Sequence, residues 1–164
     1  MVSIRFVGFG GQGVVLASTI LAEAANIEGK HAAQSQSYSA QVRGDVTRGD
    51  VIISEEPIVY PLVEHPDMIV AMDERALKSY WSDGAELMYD SSLIDYAEGK
   101  GIDATSIAIK ELSSALYANM ILIGYLVREK GMVSADSVRR ALAKHAKAEE
   151  NLKAFELGLA ASGA

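Results

Sequence analysis

The chain has 164 residues, is 49% hydrophobic and contains three prolines, which fits one globular domain with a substantial core. It has no cysteine, which excludes disulfides, cysteine-ligated zinc or iron–sulfur clusters and thiol catalysis by this chain. The net charge is −7, and segment 55–111 carries thirteen acidic and four basic side chains, so nucleic acid is not expected as a partner.

The longest apolar run, 120–127, is far shorter than the roughly 20 residues that a membrane-spanning helix needs. No signal-peptide pattern precedes the first predicted strand. We therefore expect a cytoplasmic protein with no membrane partner, folded as a single domain over residues 1–164.

The first predicted strand, at 3–8, leads directly into a glycine-rich turn and a long apolar helix. Gly8, Gly10 and Gly13 have the G-x-G-x-x-G spacing that brings backbone N–H groups and a helix N-terminus towards a negatively charged ligand. No Lys-Ser or Lys-Thr pair follows, so the turn is not a Walker A loop. We predict a site for a phosphate-bearing ligand, and the alternative is a tight turn with a purely structural role.

The following segments alternate between helix and strand patterns. In chain order, the sequence predicts a helix at 12–28 that ends at Gly29, an extended piece at 31–36, an exposed polar stretch at 37–45, strands at 46–54 and 67–72, a helix at 73–81 and a strand at 86–90. Such alternation indicates an α/β fold, here a three-layer Rossmann-like domain with a mixed, mainly parallel sheet.

The last third of the chain is predicted to be helical, at 111–130, 134–147 and 149–159, with Ser134 as an N-cap and Gly131 as a stop. The first of these helices is apolar nearly all round, so it lies either in the centre of the fold or against a partner. We favour a subunit contact. The small-residue tail at 160–164 is expected to fray.

A dinucleotide-binding turn also needs an acidic residue at the end of the second strand, where it holds the ribose hydroxyls. The predicted second strand ends at Gln36 without such a residue, which counts against NAD or FAD. Glu28 falls at the end of the preceding helix and is better explained as a solvated residue of its last turn.

Several short motifs follow one another along the chain. They are Gly8-Phe-Gly-Gly-Gln-Gly13, Ser37-Tyr38 with Arg43-Gly44, Ser54-Glu-Glu-Pro57-Ile58, the segment 67–74, Asn119-Met120 with Gly124, and the segment 151–158. This series resembles the gamma subunit of the 2-oxoacid:ferredoxin oxidoreductases. Members of that family usually have Arg-Gly-Gly where this chain has Arg43-Gly44-Asp45.

The resemblance implies a complex that decarboxylates a 2-oxoacid oxidatively with thiamine diphosphate, transfers the acyl group to coenzyme A and passes electrons through iron–sulfur clusters to ferredoxin. The thiamine diphosphate and the clusters would lie on partner alpha, beta and delta subunits, so this chain would be inactive alone and carry no catalytic residue. We favour 2-oxoglutarate as the substrate. The alternative from another class is a free-standing Rossmann-like module that binds a nucleotide or flavin.

By the same resemblance, this chain helps to hold coenzyme A. The implied contacts are Gly8, Gly10, Gly11, Gln12 and Gly13 in the loop, with Ser37, Tyr38, Arg43 and a further candidate, Arg48. Each has a structural alternative: Arg43 can be solvated or paired with Asp45, and Ser37 and Tyr38 can cap a turn.

Three further positions have predicted structural roles. Asn119, on the apolar helix, either braces a backbone segment or touches the ligand, and we favour bracing. Gly124 and Gly158 are expected to allow close helix packing. The three histidines are too far apart in the chain to indicate a metal or triad site.

Overall fold

A mixed sheet of six strands forms the centre of the part of the chain that the structure describes. The structure is a computed structural model, and it describes residues 1–38, 45–96 and 98–163, except for the side chain of residue 38. The strands are β1 (Val2–Phe9), β2 (His31–Tyr38), β3 (Val46–Ser54), β4 (Met68–Ala71), β5 (Glu86–Asp90) and β6 (Lys100–Ile102). Their order is β2-β3-β1-β4-β5-β6; β3 runs antiparallel to both neighbours, while β1, β4, β5 and β6 are parallel.

Helices cover both faces of this sheet. They are α1 (Val14–Ile27), α2 (Glu74–Ser79), α3 (Ala104–Leu112), α4 (Ala118–Lys130), α5 (Ala135–Leu142) and α6 (Ala148–Ala160), with a 3-10 turn at Ala115–Tyr117. The larger apolar core joins Ile4 and Phe6 of β1 to α1, α3, α4, α5 and α6. The smaller core joins Val7 to α2, because successive strand residues point to opposite faces. The predicted three-layer α/β fold is confirmed.

Most predicted elements are present, with three differences. The extended piece at 31–36 is a full strand that reaches Tyr38, so it takes in Ser37 and Tyr38, which were predicted to belong to the polar loop. The predicted helix at 111–130 is wrong at its start: Ser113 has a φ of 58°, which ends α3, and α4 begins only at 118. The helix predicted at 134–147 ends at Leu142.

Helix α4 is buried within its own chain. Its residues 118–127 are all shielded by the sheet and the neighbouring helices. The favoured subunit contact for this helix is therefore wrong, and its all-round apolar character reflects a central place in the fold.

The contact between α4 and α6 depends on two glycines. A Cβ atom on Gly124 would lie 2.2 Å from the carbonyl oxygen of Phe155, and one on Gly158 would lie 2.1 Å from that of Ile121. Real Cβ atoms do not approach backbone this closely, so the two backbones touch only because both side chains are absent. The predicted role of these glycines in close packing is confirmed.

Glu28 joins the end of α1 to the start of α5. Its carboxylate accepts hydrogen bonds from the backbone N–H of Ser134 and from Ser137 Oγ at 2.6 Å, and lies 3.1 Å from Lys30 Nζ. Only 18% of the side chain is exposed, so the expectation that Glu28 is a solvated residue is wrong. Partial burial raises the pKa of Glu28, but the bonds from Ser137, Ser134 and Lys30 together outweigh it and lower the pKa to about 2.

We predict that Glu28→Gln lowers the free energy of unfolding by about 1–3 kcal/mol at pH 7. A carboxylate whose pKa is depressed by folding stabilises above its ordinary pKa, and this contribution disappears as the pH falls through the folded-state value. Denaturant titrations should therefore show the difference between wild type and variant shrinking from pH 4.5 towards pH 2. A difference that stays constant over that range would contradict this assignment.

Candidate ligand site at the glycine loop

The glycine loop, residues 8–13, lies at the carboxyl ends of β1 and β4. Strand β1 leads to α1 on one face of the sheet, and β4 leads to α2 on the other. Because the two connections leave in opposite directions, they open a crevice at this edge, which is where ligands bind in open α/β sheets.

Backbone hydrogen bonds hold the loop in place. The Gly10 N–H donates to the carbonyl of Asp45, and the Gln12 N–H donates to that of Phe9, both at 3.1 Å. Gly11 and Gly13 have φ values of 92° and 75°, which residues with a side chain rarely adopt. No side chain in the described ranges caps α1 at Gly13, so the first N–H groups of α1 remain available to an external acceptor.

The Gln12 side chain ties the loop to the neighbouring strand. Its Oε1 accepts from the Phe9 N–H at 2.7 Å, and its Nε2 donates to the Met72 carbonyl at 3.0 Å. A Cβ atom on Gly8 would lie 2.6 Å from Oε1, so Gly8 leaves room for this amide. Gln12, predicted as a ligand contact, thus uses both ends of its amide to shape the loop, and one Nε2 hydrogen remains for a ligand.

The Asn119 side chain supports the backbone of the glycine loop at Gly13. This side chain, at the start of α4, is buried, and its Nδ2 donates to the Gly13 carbonyl at 3.2 Å. A Cβ atom on Gly13 would lie 2.2 Å from the same Nδ2. The favoured bracing role of Asn119 agrees with this contact, and it fixes the point at which α1 begins.

Beside the loop lies a cavity of about 360 Å³. Gly11 and Gln12 form one wall, and Met72, Leu93 and Leu116 give the cavity a mostly apolar lining. Leu93 and Leu116 are 48% and 55% exposed, so they form an apolar rim. The volume falls within the range of ~300–1,000 Å³ that is usual for small-molecule sites.

Asp90 forms part of the cavity floor and was missed by sequence reasoning. It is fully buried, and its carboxylate accepts from the Ser92 N–H, the Thr105 N–H and Thr105 Oγ1, the last at 2.6 Å. It therefore caps α3. The sequence offered one signal, since Asp90 is an acidic residue at the end of the predicted strand 86–90. The helix that it caps, α3, was not predicted, so this capping role was not expected.

One cation near the site was not predicted from the sequence. Arg75 of α2, which sequence reasoning missed, has its guanidinium 4.9 Å from the ring centroid of Phe9, the residue next to Gly10. Arg48 lies over the ring of Tyr80 and 3.6 Å from Asp50, on the sheet rather than at the loop. The predicted residue Arg43 falls outside the described residues.

The backbones of Ser37 and Tyr38 lie at the same edge of the sheet as the glycine loop, with one strand between them and β1. They pair with Arg48 and Thr47 of β3, and β3 separates them from β1. At a strand spacing of about 4.8 Å, two strands place them roughly 10 Å from the loop backbone. Their role in ligand binding stays a prediction.

The model of the pyruvate ferredoxin/flavodoxin oxidoreductase family matches residues 3–161. The chain belongs to this family. Within the family, it is similar to the 2-oxoglutarate synthase subunit KorC of Archaeoglobus fulgidus, with 40% identity over 96% of this chain and 86% of that protein. It is a gamma-type subunit of the 2-oxoacid:ferredoxin oxidoreductases, as the motif series indicated.

Solved structures of the family agree with this fold. The gamma subunit of the keto/oxoacid ferredoxin oxidoreductase from Geobacter sulfurreducens superposes with a TM-score of 0.83 at 33% identity, covering 98% of this chain and 97% of that one. The 2-oxoglutarate:ferredoxin oxidoreductase from Magnetococcus marinus, solved with 2-oxoglutarate, coenzyme A and succinyl-CoA, has a TM-score of 0.84. At 22% identity, with 97% of this chain covering 30% of that one, it shows the fold alone.

No helix within the described ranges has the length and apolar character that would carry it across a membrane.

We predict that Gly13→Ala destabilises the protein more than Gly29→Ala, by about 1–3 kcal/mol. Both glycines have positive φ, but a Cβ atom meets Asn119 at Gly13 and nothing within 4 Å at Gly29. Thermal unfolding of the single variants and of Gly13→Ala combined with Asn119→Ala measures the contact, since the double variant should recover part of the loss. Equal costs at the two glycines would contradict the bracing contact.

Proposed function

We propose that this chain is the subunit of a 2-oxoglutarate:ferredoxin oxidoreductase complex that helps to hold coenzyme A. The partner subunits carry the thiamine diphosphate and the iron–sulfur clusters. The observation that carries the proposal is the glycine loop, which forms one wall of a mostly apolar cavity and leads into a helix without a side-chain cap.

The charges at the loop suit a ligand with phosphate groups. The first turn of α1 follows the loop and has no side-chain cap at Gly13, so its N–H groups and its positive dipole end can attract phosphate. Arg75, next to Phe9, adds a cation that can form charge-assisted hydrogen bonds with phosphate oxygens. Gly11 has no neighbouring atom within 4 Å of a Cβ position, so the loop offers an open surface to phosphate.

The cavity suits the remainder of coenzyme A. Its long arm is largely aliphatic with amide groups, and the lining by Met72, Leu93 and Leu116 offers apolar contact along such an arm. When bound, coenzyme A supplies the thiol that accepts the acyl group. The residues of this chain bind and orient it.

The choice of 2-oxoglutarate rests on the relatives. Four 2-oxoglutarate synthase subunits named KorC match at 35–40% identity over 94–96% of this chain. A pyruvate synthase subunit matches at 33% over 84%. We therefore place this chain with the 2-oxoglutarate complexes.

The test is a tagged complex purified from its native cell and assayed by methyl viologen reduction with a panel of 2-oxoacids, with and without coenzyme A. We expect activity that depends on coenzyme A and is highest with 2-oxoglutarate. A solitary chain that retains a nucleotide or flavin and brings down no oxidoreductase subunits would instead support the free-standing module.

The same assay tests the site. We predict that Arg75→Gln raises the KM for coenzyme A by about three- to tenfold while leaving the KM for the 2-oxoacid unchanged, because the cation that contacts phosphate is lost. Lys78→Gln, on the same helix and paired with Glu74, is the matched control and should change neither constant. If both variants behave alike, Arg75 does not contact the ligand.

A further inference from the structure

We propose that residues 57–66, the proline segment, dock into an apolar groove bordered by Lys and Arg side chains on another subunit of the same oxidoreductase complex. This inference rests on the proposed function, in that it requires the chain to assemble with partner subunits. The segment connects β3 to β4 at the edge of the sheet opposite the glycine loop.

The proline segment is stiff although it contains no helix or strand in the structure. All three prolines of the chain, Pro57, Pro61 and Pro66, lie within these ten residues. Proline fixes φ and removes a backbone donor, which favours an extended shape that does not pair with itself. A stiff segment loses little conformational entropy when it binds.

A buried ion pair anchors the segment to the sheet. Arg5 of β1 donates from Nε and Nη2 to the two carboxylate oxygens of Asp50 at 2.9 and 3.1 Å, and both side chains are buried. The same Nη2 donates to the Val63 carbonyl at 2.8 Å. At the two ends, Ser54 Oγ accepts from the Glu56 N–H, and Asp67 accepts from the Ser3 N–H.

The anchored segment presents apolar side chains to solvent. Val59, Tyr60 and Leu62 are 96%, 58% and 55% exposed. Single exposed apolar residues are ordinary, but three within four residues on an anchored, proline-rich backbone concentrate apolar surface in one place, which favours a partner surface. Tyrosine is also enriched among the residues that dominate binding at interfaces.

The charge around the patch specifies the partner. Between Arg48 and Arg75 the sequence has no Lys or Arg, whereas the exposed residues Glu55, Glu56 and Glu64 flank the apolar side chains. Lys30 lies 3.7 Å from Glu55 and offsets one of these charges, which leaves Glu56 and Glu64 as the acidic side chains on which the charge match depends. A second copy would bring two such acidic segments together across a two-fold axis, and like charges repel. The complementary surface is an apolar groove with a basic rim.

A partner within the same complex fits this segment, because a stable apolar contact suits a permanent assembly better than a passing encounter.

The test measures the affinity of purified wild-type and variant chains for the remaining subunits of the complex. We expect Tyr60→Ser with Leu62→Ser to weaken binding by about tenfold or more, because two apolar side chains lose their burial. Ile109→Ser, on α3 at 55% exposure, is the matched control and should bind within about twofold of wild type. Circular dichroism checks that each variant is folded.

Two pairs of Glu→Gln variants test the contribution of charge to binding. Glu56→Gln with Glu64→Gln should weaken binding and flatten its dependence on salt, whereas Glu98→Gln with Glu111→Gln, also exposed, should change neither. A photo-crosslinking residue at position 59 should join the chain to a partner-subunit peptide that contains Lys or Arg.

The outcomes separate this inference from the proposed function. Wild-type binding that the proline-segment variants leave intact, or a crosslink to a second copy, overturns the docking site while the subunit assignment stands. Failure of the wild-type chain to bind the other subunits at all overturns both.

Discussion

The contact between Asn119 and Gly13 links the helix α4 to the glycine loop. Asn119 belongs to α4, which is buried on every side, and its amide meets a glycine backbone that has no room for a side chain. The position of the glycine loop therefore depends on the position of α4. That helix is in turn held against α6 by the close approach of Gly124 and Gly158, so packing far from the loop sets its geometry.

The two edges of the sheet have different surfaces. At the carboxyl edge of β1, free backbone N–H groups, Arg75 and an apolar cavity suit a phosphate-bearing ligand. At the other edge, the proline segment is anchored by Arg5 and exposes apolar side chains within an acidic surrounding. With the proposed docking at the proline segment, the opposite edge would stay free to present a ligand to the partner subunits.

Sequence patterns predicted the elements whose residues carry strong local signals. The apolar strand before the glycine loop, the N-cap at Ser134 and the stop at Gly131 follow from local chemistry and are present. The strand β6 has three residues and too little pattern to detect, and α3 depends on its cap from Asp90, which is distant in sequence. Long-range contacts of this kind are not visible in a window of neighbouring residues.

The same reason explains the misjudged side chains. Glu28 ends a helix in a position that is usually solvated, but the fold brings the start of α5 to it. The apolar surface of α4 does not reveal whether the chain itself or a partner covers it. The predicted ligand contact of Gln12 stays a prediction, and its additional structural role was not visible in the sequence because only the fold shows that Met72 receives its amide.

A cryo-electron microscopy map of the assembled complex with coenzyme A bound would test whether the glycine loop and its cavity hold this ligand. We expect phosphate density within hydrogen-bond distance of the backbone at Gly11–Gly13 and of the first turn of α1, with the arm of the ligand along Leu93 and Leu116. A well-ordered coenzyme A whose phosphates and arm lie entirely on other subunits would contradict this expectation.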